Sequence, residues 1–230
     1  MFLPLYDGVP MRNLASPVVT WAIIGLCVLI HAAAFTGALP PVEPLLAVGF
    51  GIIPKVVLGG AYLPEDIAQA PGWLTPLTSL FLHGNLMHLA GNMLFLWVFG
   101  DNVEDSMGHW RFLAFFLLCG VMAAFGHALS HPDSVQPLIG ASGAISGIIA
   151  AYLLLHPRVR VWGLVFKYLP IAVPAWVAIG AWIAVQVLQG FFGGESAIAW
   201  FAHLGGLAAG VLLAPLFIRR DISIRQRWAR

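Results

Sequence analysis

Four polar side chains interrupt apolar stretches of this sequence: His88, Asn92, Ser142 and His203. A serine hydroxyl is a weak nucleophile until a neighbouring imidazole takes its proton, and Ser142 with His203 would supply such a pair for attack on a carbonyl. His88 and Asn92 are four positions apart and share one helix face. Together with the backbone N–H of Ser142, if that residue opens a helix, they could donate hydrogen bonds to a developing oxyanion. No acidic residue lies inside an apolar stretch, so no carboxylate orients His203 and a two-residue dyad is expected. Each residue also has a plainer reading. The small residues around Ser142 suit helix packing, His88 and Asn92 could satisfy each other, and His203 could pack or ligate a metal or haem.

The elements that must position these groups follow from composition. The chain has 230 residues, 60% hydrophobic and 9% charged, against about 25% charged in soluble domains. A polytopic membrane protein is the class that fits. A bilayer crossing needs about 20 apolar residues, and six stretches qualify: 17–38, 77–100, 110–130, 138–155, 168–192 and 197–217. The expected fold is therefore all-α, a six-transmembrane-helix bundle forming one membrane domain over 1–230. It has an N-terminal tail over 1–16, a long outer loop over 39–76 and a basic tail over 218–230. The apolar piece 45–57 carries Pro54 and Lys55, is too short to cross, and is expected in the interface or over the outer surface. The first apolar run is long and lacks a small-residue cleavage site, so it is expected to stay as a span. Cys27 and Cys119 fall in apolar runs and read as small buried hydrophobes. A net charge of +1 suggests no nucleic-acid partner.

Lysine and arginine are retained on the cytoplasmic side of a membrane. With the N-terminus inside, Lys55 alone of the 11 basic residues falls outside. Both termini are then cytoplasmic, and the second, fourth and sixth stretches run parallel with their polar residues in the outer halves. Glycines complete the pattern. Gly206 and Gly210 follow His203 at i+3 and i+7, and Gly143 and Gly147 follow Ser142. Such spacing lets two membrane helices approach backbone to backbone, which would bring Ser142 and His203 into reach.

The motifs GASG at 140–143, AHLGG at 202–206 continuing to Gly210, and HGNLMHLAGN at 83–92 make the sequence resemble the rhomboid intramembrane serine proteases, in their basic six-helix bacterial form. GDNVED at 100–105 resembles the turn after the second helix. The resemblance implies a serine endopeptidase that cuts peptide bonds in or near the transmembrane segments of membrane proteins. Ser142 and His203 would be catalytic, His88 and Asn92 oxyanion-stabilising, and His83, Gly140, Gly143, Gly206 and Gly210 supporting. It implies no cofactor and no metal. The partners would be transmembrane protein substrates and the lipid bilayer; the sequence gives no oligomeric state. The location would be the cell (inner) membrane, multi-pass, with the site opening to the extracytoplasmic side. The fifth helix and the loop 193–196 would move to admit substrate. Trp73-Leu74 stands where the family often has Trp-Arg. The alternatives are an inactive rhomboid-like protein that binds membrane clients and a transporter, which would typically carry an acidic residue in a span. A metalloprotease is disfavoured by the lack of H-E-x-x-H.

Overall fold

The computed structural model describes residues 2–165, 168–192 and 198–222. Most of these are helical. The long helices are α1 (Val18–Phe35), α2 (Leu86–Met107), α3 (His109–Ser130), α4 (Ser142–Leu155), α5 (Ala175–Phe192) and α6 (Ile198–Phe217). Among the described residues, three helical segments are long and apolar enough to cross a membrane: Val18–Phe35, His109–Ser130 and Trp200–Phe217. Helix α4 is the centre of the bundle. None of its residues is exposed, and α3, α6 and α2 pack around it. Phe99, Phe112, Phe115, Phe116 and Tyr152 fill the space between these helices and are fully buried.

The helix boundaries differ from those expected, each for a local reason. The second helix begins at Leu86 rather than near 77, because the Oδ1 of Asn85 accepts a hydrogen bond from the backbone N–H of His88 at 2.9 Å and caps it. Residues 75–81, which include Pro76, form two short helical turns instead. The expected turn at 100–105 is helical, and the chain reverses at Gly108, whose φ of +85° suits glycine. The fourth helix has 14 residues, a rise of about 21 Å, well short of the ~30 Å hydrocarbon core.

The all-α expectation is corrected by a three-stranded antiparallel sheet of β1 (Phe2–Tyr6), β2 (Arg160–Val165) and β3 (Leu169–Pro174), in the order β1-β2-β3. Its prolines, Pro4, Pro170 and Pro174, all sit on the two edge strands, where a missing N–H costs no ladder bond. Strand β3 runs directly into α5. The expected span at 168–192 thus merged an apolar strand with a helix.

Acidic groups tie the N-terminal segment to the end of α2. The first turn of α1 has no cap of its own. Glu104, fully buried, accepts from the N–H groups of Val19 and Thr20 at 3.0 and 2.8 Å and from the Thr20 hydroxyl at 2.7 Å. Asp105 accepts from the backbone N–H groups of Arg12, Asn13 and Leu14 at 3.1, 2.7 and 2.8 Å. Glu104 thus satisfies helix-end donors that would otherwise lack partners, and Asp105 holds the segment before the helix. Asp7, directly after β1, is buried, and the Tyr152 hydroxyl and the Asn102 amide donate to its Oδ2 at 2.7 and 2.9 Å. Burial pushes the Asp7 carboxyl above its ordinary range, against the opposing pull of the hydrogen bonds from Tyr152 and the Val9 N–H.

Candidate active site

Ser142 is the first residue of α4, where backbone N–H groups have no intrahelical acceptor. The segment leading to it is pinned from two sides. Ile52 and Leu138 exchange backbone hydrogen bonds of 3.1 and 2.8 Å, and the Gly140 N–H donates to the Ser79 carbonyl at 2.8 Å. Gly140 has a φ of +120°, a conformation side chains disfavour, and a Cβ there would meet His88 Cε1 at 2.8 Å.

Helix α6 delivers His203 to this point. A Cβ on Gly206 would fall on the Gly143 carbonyl oxygen, and one on Gly210 would fall on that of Gly147. A Cβ on Gly143 would meet the Cβ of Ala123, on α3, at 2.5 Å. The small-residue faces therefore let three helix backbones close on one another. With the helices at this distance, Ser142 Oγ lies 2.8 Å from His203 Nε2.

The other ring nitrogen of His203 also has a partner. His203 Nδ1 lies 2.8 Å from Oε1 of Gln186, a buried side chain on α5. Trp182, one turn earlier on α5, places its ring centroid 6.0 Å from that of His203, and Trp200 presents an edge at 5.6 Å and 85°. Gln186 is not among the residues that the sequence singles out. The signal for it was a neutral glutamine four residues from Trp182 in the fifth apolar stretch.

His88 and Asn92 flank Gly140. A Cβ there would lie 2.9 Å from His88 Nε2 and 3.8 Å from Asn92 Nδ2. The two side chains do not satisfy each other. Asn92 Nδ2 is buried without a hydrogen-bond partner among the described residues, an unusual state for a strong donor. His83 lies outside the helix, 1% exposed, with its ring edge-on to His88 at 5.2 Å between centroids. Its carbonyl lies 3.2 Å from His31 Nδ1. A cavity of about 20 Å³, the size of one water, is lined by Ser79, Gly140, Ser142 and Ala202 among others. The loop 193–196 and most of the basic tail, 223–230, lie outside the described residues.

A family model described as the rhomboid domain matches residues 70–220. Rhomboid protein 1, mitochondrial, of Saccharomyces cerevisiae is 31% identical over 159 residues, covering 65% of this chain and 43% of the yeast protein. Rhomboid-like protein 11, chloroplastic, of Arabidopsis thaliana is 31% identical over 158 residues, covering 64% of this chain and 53% of its own length. Rhomboid-type serine protease 2 of Emericella nidulans is 26% identical over 181 residues, covering 78% and 33%. The chain thus spans about a third to a half of the curated relatives it matches. These relatives overturn the expected cell (inner) membrane location, because two of the three are mitochondrial and chloroplastic proteins. The charge bias that prompted the expectation distinguishes the two sides of a bilayer, not one cellular membrane from another. Taken with the helices and motifs described above, the match over 70–220 shows that the chain belongs to the rhomboid family.

Proposed function

We propose that this chain is a serine endopeptidase that hydrolyses peptide bonds in or near the transmembrane segments of membrane proteins, in the membrane of an organelle. The observation that carries the reading is the 2.8 Å approach of Ser142 Oγ to His203 Nε2 at the helix contact formed by Gly143, Gly147, Gly206 and Gly210. In this reading the single domain crosses the bilayer with all six long helices, both chain ends lying on the arginine-rich side. The short α4 needs no full-length apolar run, because its neighbours shield it from lipid.

The chemistry runs in two halves. Ser142 attacks the substrate carbonyl as its proton passes to Nε2 of His203. The oxyanion forms beside the start of α4, within reach of the Ser142 N–H, the His88 ring and the unspent Asn92 amide. His203 returns the proton to the leaving amine and an acyl-enzyme remains. Water then attacks with His203 again as base, releasing the new carboxyl end and restoring the serine. A substrate helix must unwind at the cut, since its carbonyls are otherwise hydrogen-bonded and shielded.

The test is incubation of the purified protein in detergent or liposomes with single-span reporters and with a fluorophosphonate probe. Cleavage and labelling that both vanish in Ser142→Ala support the reading. Absence of labelling in the native protein refutes it and favours a rhomboid-like client binder.

A further inference from the structure

We infer that Gln186 is a positioning residue for the dyad, selecting the tautomer of His203 that lets Ser142 act as a nucleophile; this rests on the protease reading above. A neutral imidazole carries its proton on one nitrogen only. The Oε1 of Gln186 is an acceptor with no proton to give, and it lies 2.8 Å from His203 Nδ1. That bond exists only when Nδ1 carries the proton. Nε2 then presents a lone pair to Ser142 Oγ, also at 2.8 Å, and can accept the hydroxyl proton. In the opposite tautomer Nε2 would be the donor, Ser142 could only accept, and the serine would have no base.

The surroundings favour an amide over a carboxylate here. Gln186 is 3% exposed, and an ionised side chain at such a place carries a large desolvation cost. A neutral amide orients the ring without that cost. The ring is held on two other sides by Trp182 and Trp200, which hinder it from turning over. Trp182 and Gln186 are one helical turn apart, so one face of α5 supplies both the acceptor and a wall. The dyad expected from the sequence is therefore supported by a third side chain from a third helix.

The experiment uses the full chain in detergent micelles. Gln186→Leu removes the acceptor in an apolar helix. The expected result is a fall in kcat of about 10- to 100-fold for the leucine variant, matching the loss seen when a partner that orients a metal-bound histidine is removed. KM should stay near native. Imidazole 15N shifts, assigned to His203 by their loss in His203→Ala, should report a single tautomer with Nδ1 protonated in the native protein. In Gln186→Leu they should report a mixture. A leucine variant with native kcat and a native nitrogen spectrum overturns the inference, as does a native His203 protonated at Nε2. The nitrogen spectra of the native protein and Gln186→Leu need no activity, so together they judge the role of Gln186 alone. Fluorophosphonate labelling of the native serine judges the protease reading separately.

Discussion

Ser142 and His203 are 61 positions apart in the chain, yet their Oγ and Nε2 atoms meet at 2.8 Å. Neither atom depends on a flexible loop for its place, since both residues sit on packed helices. Ser142→Ala and His203→Ala should each reduce cleavage of a transmembrane reporter by at least about 10³-fold, and the double variant should be no worse than either single, as for groups that act as a unit. Substantial further loss in the double variant would mean that the two residues act separately.

The oxyanion donors should show a graded effect. Asn92→Ala removes the buried amide that has no other partner among the described residues, and His88→Ala removes the ring beside Gly140. Each should lower kcat by about 10²-fold, the range seen when one such donor is lost, while fluorophosphonate labelling persists more slowly. Native turnover in both variants would place the oxyanion elsewhere.

Gly206 has no room for a side chain, because the Gly143 carbonyl occupies the position of its Cβ. Gly206→Val should push α6 from α4, abolish labelling of Ser142, and lower thermal stability by an overpacking cost of about 1–3 kcal/mol or more. Thermal unfolding and probe labelling of the same preparation check both effects. Gly25, with nothing within 4 Å of its would-be Cβ, serves as a control position where alanine should be tolerated.

Asp7 gives a pH dependence of definite sign. Its folded-state affinity for a proton is raised by burial, so its contribution to stability is full below the unfolded carboxylate value of about 3.9 and is lost as pH rises through the higher folded value. The destabilisation caused by Asp7→Asn should therefore be larger at pH 4 than at pH 7. Unfolding of both proteins at the two pH values measures it, and a penalty that grows with pH would contradict the burial argument.

Much of the candidate site was legible because polar residues in apolar stretches are costly and few. Ser142, His203, His88 and Asn92 stand out for that reason, and glycine spacing indicated which helix faces meet. Gln186 was not legible by the same route, since a neutral amide in an apolar stretch carries no charge that demands a partner. The sheet was hidden because β3 is as apolar as the helix it enters, and periodicity does not separate a short buried strand from the start of a helix. The turn expected at 100–105 came from the resemblance of GDNVED to the family's turn after the second helix. Glu104 and Asp105 are instead helical and face inward, accepting from the first turn of α1 and from the segment before it.

Where Gly206 rests on Gly143 and Gly210 on Gly147, main-chain atoms touch main-chain atoms. Main-chain contact thus sets how far apart the two backbones that carry nucleophile and base stand. Heating that loosens aromatic rings elsewhere in the bundle would leave that gap unchanged until the two helices part altogether. Hydrolytic competence should then disappear abruptly with tertiary structure instead of fading ahead of it.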